Sequence, residues 1–442
     1  MPEDLITLIR SGKLQVGTTL LHRSRSSSGN DTTAAVVEEG LRMRGRTFTT
    51  PSAAAKAITG KPVDGWIFWR LPDGDPLDSL RSDRRRPVSV TVLARRGAES
   101  DLEATIASSL SFPRMRYMGS KYKIVPALLG ILDGLEFATA LDAFSGSGVV
   151  GYALKAMGKQ VIANDFLTFS ATIADATVAN ATETLTPADL ETITSPSADG
   201  RDFIARTFKG LYFPEDDLQF LDAAWSHIAD MTGGKKSIAI ASLCLAAARK
   251  QPRGVFTITD LRYDDGRRQL HTPLRELFAE AAAEYNGCVF GNDLVNQATC
   301  QDIFDVDPQG IDLVYLDPPY APPRDDNCYI KRYHFLEGLS VYWEGQRIME
   351  KTKTKKLEKR YTPFSYKSTI RDALSRTFRR FSDSTIVLSY SSNSVPARDE
   401  VIGLLRQEKG SVEVHTIPHR YSFGTHAAAQ RREAHEYIFV AR

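Results

Sequence analysis

The run Ile311-Asp312-Leu313-Val314-Tyr315-Leu316, closed by Asp317-Pro318-Pro319-Tyr320, constrains this chain more than any other stretch. A near-continuous apolar run of this length predicts a strand buried on both faces, hence a parallel sheet. Two consecutive prolines fix φ and remove backbone donors, so the chain leaving the strand cannot turn into helix there. A carboxylate, the free carbonyl of Pro318 and an aromatic face are left around one spot. They suit a flat substrate with an exocyclic amine, which donates to the carboxylate and the carbonyl while its ring stacks on Tyr320. An ordinary proline-rich turn would use the same residues, so the choice rests on whether the chain also supplies a cofactor site.

Thr139–Phe144 predicts a short strand, followed by Ser145-Gly146-Ser147-Gly148 and a helix over Val149–Met157. A glycine turn between strand and helix lets the backbone approach a ligand closely. The spacing is D-x-F-x-G-x-G rather than G-x-G-x-x-G, and an acid, Asp142, stands just before the turn. The next strand, Gln160–Ala163, ends in Asn164-Asp165. An acid there is placed to bind ribose hydroxyls; a solvated loop acid is the alternative.

Four stretches in this order carry a resemblance: Arg116-Tyr117-Met118-Gly119-Ser120-Lys121, Asp142 to Gly148, Asn164-Asp165, and Asp317 to Tyr320. Residues 113–442 resemble an adenine-N6 DNA methyltransferase of the Dam-like, D12 class. The resemblance implies an α/β fold: a Rossmann-like S-adenosylmethionine-dependent methyltransferase sheet with an inserted helical target-recognition region. Asp142 and Asp317 lie about 175 residues apart, which leaves room for that insertion. It also implies roles. Tyr117 and Lys121 would contact S-adenosylmethionine, the lysine at its carboxylate. Asp142, Phe144, Gly146 and Gly148 would sit around the cofactor, Asp165 would bind its ribose, and Asp302 resembles the family's adenine-contacting acid. Asp317, Pro318, Pro319 and Tyr320 would form the catalytic set, with Asp317 also close to the cofactor. The target adenine would be flipped out of the duplex onto Tyr320, and no metal would be required.

Residues 1–92 resemble the RAMA (restriction enzyme adenine methylase associated) domain through Thr50-Pro51-Ser52-Ala53-Ala54-Ala55-Lys56 and Gly65-Trp66-Ile67-Phe68-Trp69. Together they make a small N-terminal α+β domain. Thr50-Pro51 predicts a helix start and Gly60 its stop. Trp66 to Trp69 alternate as on a strand, with core packing as the expected role of the tryptophans. Residues 93–112 read as a linker, since the arginine-rich stretch Arg81–Arg96 runs into the polar, small-residue stretch Gly97–Ser111.

The target-recognition region is expected over about 203–292. Its basic residues Arg249, Lys250, Arg253, Arg262, Arg267 and Arg268 are the DNA-binding candidates, since arginine reads guanine edges and holds phosphates. The family's usual asparagine-glycine and arginine-asparagine pairs are replaced here by Arg249-Lys250-Gln251 and Arg253-Gly254. A second basic run, Lys351–Arg360 (KTKTKKLEKR), reads either as a solvated face or as a phosphate contact. Ser384–Tyr390, Val412–Ile417 and Glu436–Val440 are expected to close the sheet with a reversed hairpin.

The net charge of +2 leaves nucleic-acid binding to local patches. Four cysteines show no C-x-x-C pair, so reduced thiols are expected. No apolar run spans a membrane and the first ten residues do not read as a signal peptide; a cytoplasmic, DNA-associated enzyme is expected, monomeric or weakly dimeric. It would act as an orphan or as a restriction-modification methylase, with double-stranded DNA as partner in both cases and a cognate restriction endonuclease in the second. Methylation of another exocyclic amine, such as cytosine N4 or an RNA base, and an inactive DNA-binding reader are the other readings.

Overall fold

The computed structural model describes residues 4–22, 32–60, 63, 65–72, 77–80, 98–257, 266–321, 328–419 and 434–442. The chain divides into two compact units, Met1–Leu93 and Ala94–Arg442.

The first unit is a four-stranded antiparallel meander, β1 (Thr19–His22), β2 (Thr32–Val37), β3 (Gly40–Met43) and β4 (Arg46–Phe48). It is followed by a helix, Pro51–Thr59. The Thr50 hydroxyl accepts from the Ala53 amide at 3.2 Å, and Gly60 ends the helix in the left-handed conformation at φ +69°. The expected strand at Trp66–Trp69 is not formed, because Gly65–Phe68 is a single helical turn. Gly65 makes that turn possible. Its amide donates to the Ser52 hydroxyl at 3.0 Å, and a Cβ there would lie 2.0 Å from the Pro51 carbonyl carbon. The turn drives Trp69 fully into the core, its indole N–H donating to the Pro51 carbonyl at 3.2 Å.

The second unit holds a seven-stranded sheet: β5 (Thr139–Asp142), β6 (Gln160–Asp165), β7 (Gln297–Cys300), β8 (Leu313–Leu316), β9 (Thr385–Ser391), β10 (Val412–His419) and β11 (Ala434–Ala441). Its order is β10-β11-β9-β8-β5-β6-β7. Strands β5 to β9 are parallel, and β11 runs antiparallel to both its neighbours, the expected reversed hairpin. From β5 the chain winds outward to β6 and β7 on one side and to β8 and β9 on the other. The crevice at the carboxyl ends of β5 and β8 is therefore the topological switch point, where open α/β sheets bind ligands. Along β8, Leu313 and Tyr315 enter one core, and Val314 and Leu316 enter the core on the opposite face. Burial on both faces is what the uninterrupted apolar run requires.

The helices Glu215–Ile228, Gly233–Lys250 and Leu274–Asn286 fill the expected recognition region, yet their apolar faces belong to the same core as one face of the sheet. Among the described residues, no helix is long and apolar enough to cross a membrane.

The linker expected over 93–112 is corrected by the structure: Ala98–Ser111 is a helix packed against the second unit. Small polar side chains allow the close approach. Thr105 and Ser109 are buried, the Thr105 hydroxyl lies 3.4 Å from the Ala156 carbonyl, and the Ser108 hydroxyl lies 3.2 Å from that of Tyr152. Leu102 and Ile106 add apolar contact. A chain beginning at Ala98 should keep the stability of this unit. One beginning at Ser108 should lose roughly 2 kcal/mol or more, from the partial burial of those two side chains. Urea denaturation of both truncations checks this, and equal midpoints would show the helix to be dispensable.

Candidate active site

The glycine turn is held by the acid at the end of β6. Asp165 accepts from the Gly146 amide through one oxygen and from the Leu167 amide through the other, both at 2.8 Å. Gly146 sits at φ +52°, and a Cβ there would lie 2.9 Å from Cε1 of Tyr117. The turn thus needs glycine both for its conformation and for the ring against it. Tyr117 is stacked on Tyr333, with centroids 4.9 Å apart. The Met118 amide donates to the Tyr333 hydroxyl at 2.7 Å, and the Tyr329 hydroxyl donates to the Met118 carbonyl at 2.9 Å. Helix Tyr329–Leu339 therefore fixes the segment that carries Tyr117 and Lys121.

At the end of β8 the Asp317 carboxylate meets Lys121, its Oδ1 lying 2.7 Å from the ammonium. That ammonium also donates to the Gly119 carbonyl at 2.8 Å and lies 3.4 Å from Glu436. Lys121, expected at a cofactor carboxylate, lines the cavity described below and pairs with both Asp317 and Glu436. The Tyr320 hydroxyl lies 2.8 Å from Asp317 and 2.5 Å from Glu436, and the Ser389 hydroxyl donates to Glu436 at 2.6 Å. Glu436, on β11, is 1% exposed and was missed by the sequence reading. Its signal was a lone acid on the inward side of an apolar strand.

A cavity of about 830 Å³, counting space open to solvent, lies over the carboxyl ends of β5, β6 and β8. Tyr117, Lys121, Asp142, Phe144, Gly146 and Asp165 line it, together with Asp317 and Pro319. Burial pushes the Asp317 carboxyl up to about 6, Lys121 pulling against this and Glu436 adding to it. Burial also raises Asp165 to about 6 against its backbone hydrogen bonds. Asp142 rises to about 8, first through burial and then through the neighbouring Asp317. Neither of its oxygens has a hydrogen-bond partner among the described residues.

Other candidates are not brought together here. Asp302 turns back on its own loop, accepting from the Phe304 amide at 3.1 Å, and does not line the cavity. The basic candidates stitch helices together. Arg249 makes two 2.6 Å bonds to Glu284. Lys250 is 7% exposed, paired with Asp217 at 2.7 Å and donating to the Thr272 carbonyl at 2.6 Å. Arg267 donates to the carbonyls of Arg249 and Gln251 at 3.2 Å, where a helix end leaves acceptors unsatisfied. Arg268 pairs with Glu280 at 2.7 Å. Arg262 and the side chain of Arg253 lie outside the described residues. A second missed pair is Arg360 with the fully buried Glu337, at 2.8 Å. Glu337 also accepts from the Thr168 hydroxyl and the Phe169 amide, which steadies the chain just after Asp165.

The raised carboxyl of Asp142 has a consequence for stability. Its folded value of about 8 lies above the ordinary value of 3.8, so the folded state holds a proton that the unfolded state has lost. Stability should therefore fall as pH rises between those values and level off above about 8. Asp142→Asn removes the titration. Its melting temperature relative to the parent should climb from pH 5 to about pH 8, and a pH-independent difference would show that Asp142 is ionised throughout.

Residues 4–89 match the family described as Restriction Enzyme Adenine Methylase Associated, and residues 117–201 match the D12 class N6 adenine-specific DNA methyltransferases. The type II methyltransferase M2.HphI of Haemophilus parahaemolyticus is 30% identical over 337 residues, covering 70% of this chain and 92% of that protein. The modification methylase LlaI of Lactococcus lactis subsp. lactis is 28% identical over 124 residues, 28% of this chain and 19% of that longer protein. The type II methyltransferase M.FokI of Planomicrobium okeanokoites is 26% identical over 130 residues, 29% of this chain and 19% of its own length. With the glycine turn, Asp165 and Asp317 gathered on one switch-point sheet, the chain belongs to the D12 class of N6 adenine-specific DNA methyltransferases and carries an N-terminal RAMA domain.

Proposed function

We propose that this enzyme transfers a methyl group from S-adenosylmethionine to N6 of an adenine flipped out of a specific double-stranded DNA sequence, as the modification enzyme of a restriction-modification pair. The observation that carries the reading is Asp317: a carboxylate at the switch point, in the wall of the same cavity as the glycine turn and Asp165.

The cavity's donor set suits the cofactor. Asp142 brings two buried oxygens without hydrogen-bond partners, whose proton a cationic ligand would displace, and Asp165 keeps acceptor capacity for a ribose diol. Tyr117, Phe144 and the Gly146 turn supply its apolar walls. When bound, S-adenosylmethionine supplies an electrophilic methyl group on a sulfonium centre. The protein's own work is on the amine. Adenine N6 is a weak nucleophile because its lone pair is conjugated with the ring. Hydrogen bonds donated by its two N–H groups to Asp317 and to the Pro318 carbonyl favour a pyramidal nitrogen, and positioning supplies much of the rate. Tyr320, tethered at its hydroxyl, offers the ring for stacking while Lys121 sits 4.9 Å from its centroid. Asp317 is then poised to hold the proton that the methylated nitrogen must shed.

Sequencing of modified bases in DNA exposed to the enzyme should show N6-methyladenine at one recurring sequence. Methylated cytosine with unmodified adenine would sink the assignment. Asp317→Ala should lower turnover at least about 100-fold while most DNA affinity remains, because phosphate contacts dominate binding.

Glu436 serves this reaction as a positioning residue, holding Tyr320 and Lys121 around Asp317. Glu436→Gln should reduce turnover roughly 10- to 100-fold, as expected for a weakened charged hydrogen bond. Its negative charge helps to raise Asp317, and ionised Asp317 is the active form. The acid limb of the rate profile should therefore move below its parental position near pH 6 in this variant. A slower enzyme with an unshifted limb would mean that Glu436 supports the fold alone.

A further inference from the structure

We propose that residues 347–367 form a second DNA-contacting surface, in which Lys351, Lys353 and Lys367 hold backbone phosphates and Tyr361 stacks on the base left unpaired when the adenine leaves the helix. The inference rests on the methylation reading above and adds a surface outside the expected recognition region.

Charge is the first observation. These residues include eight basic and two acidic side chains, in a chain whose net charge is only +2. Part of that charge is used locally: Lys355 pairs with Glu350, Arg347 with Glu358, and Arg360 with Glu337. Lys351, Lys353 and Lys367 are exposed. The basic residues of the recognition region differ, since Arg249, Lys250 and Arg268 are each paired with an acid.

The second observation is an aromatic platform. Tyr361 is 62% exposed and stacks on Tyr366, with centroids 5.5 Å apart and planes 16° from parallel. The fold gains little from a large ring left in water. The pair is nevertheless rigidly mounted. Between the two tyrosines runs a single 3-10 turn, Pro363–Ser365, whose Phe364 is 1% exposed. Phe364 meets Phe144 edge-on at 5.2 Å and stacks on Phe304 at 5.8 Å. Thr369 donates to the Pro363 carbonyl at 2.7 Å. A platform held in place before binding loses little entropy when a ligand arrives.

Position is the third. Arg360, Thr362 and Ser365 line the catalytic cavity, so wall and platform are one continuous segment. A base extruded into the cavity brings its vacated duplex position to the mouth, beside Tyr361. An exposed ring flanked by lysines is the chemistry that takes unstacked bases and phosphates.

The test uses the full chain and a duplex carrying the methylated sequence mapped for the parent enzyme. Replacing Lys351, Lys353 and Lys367 together by Ala should weaken DNA binding and lower the salt slope of log Kd by about 2–3, one phosphate contact per lysine. S-adenosylmethionine affinity, read by calorimetry, should not change. Tyr361→Ala should weaken binding about 5- to 100-fold, the range for a lost base stack, with Tyr361→Phe retaining parental affinity. On a duplex with an abasic site opposite the target adenine, Tyr361→Ala should bind as tightly as the parent. A triple variant with the parental salt slope, or a Tyr361→Ala defect that persists on the abasic duplex, would overturn the proposal while leaving methylation by the parent enzyme intact. A parent enzyme that methylates no adenine would instead overturn the reading on which it stands.

Discussion

One buried ammonium organises this enzyme. Lys121 precedes the first strand of the sheet, Asp317 follows the fourth and Glu436 lies in the last, and their charges meet at 2.7 and 3.4 Å. Taking an ammonium out of water costs several kcal/mol, which only close, fully hydrogen-bonded partners repay. Lys121 meets that condition with three acceptors: two carboxylates and the Gly119 carbonyl. Despite the burial that opposes it, its pKa is raised by Asp317 and Glu436. Removing one member of such a group costs about 3–5 kcal/mol, because a buried charge is left uncompensated. The same contact therefore closes the sheet across β8 and β11 and aims the carboxylate at the cavity.

The charge count of this group explains its chemistry. Two carboxylates share one ammonium, and beside them burial and the Asp317 charge keep Asp142 protonated up to about pH 8. The surplus is negative, which suits a cationic cofactor and disfavours an anionic one. A phenol has one proton, and Tyr320 faces two carboxylates with it. The contact to Glu436 is the shorter, 2.5 against 2.8 Å, and Glu436 also has the Ser389 hydroxyl. With the Tyr320 proton turned toward Glu436, Asp317 keeps lone pairs for a donor in the cavity it lines.

What was legible in the sequence was local. The apolar run of β8, the glycine turn and Asp165 are dictated by spacing within a few residues, and the structure places all of them on one crevice. Thr50 and Gly60 were legible for the same reason, as caps acting on their own helix. Longer-range effects were not legible. Lys121 stands in a legible motif, but its pairing with Glu436, 315 residues away, and the burial that goes with it have no local signal. Trp66 to Trp69 alternate as a strand would, yet the contact of Gly65 with Pro51 overrides the pattern. The polar stretch before residue 112 reads as linker by composition, while its small side chains are what let a helix pack closely on Val149–Ala156.

Basic residues show the same division. A cation in a helix-rich region meets acids at positions that sequence spacing does not announce. Arg249 and Arg268 are answered by Glu284 and Glu280 on one helix, and Lys250 by Asp217 on another. Those bonds join helices whose apolar faces share a core with the sheet, so the charges are part of the packing. The stretch 347–367 cannot neutralise itself in this way, because its basic side chains outnumber its acids by four to one. Self-repulsion is tolerated there only because buried anchors, Phe364 and the Arg360–Glu337 pair, fix the backbone against the cavity wall. A charge surplus pinned beside a catalytic cavity is a constraint that packing does not require, and a polyanionic substrate is the physical reason for a fold to keep it.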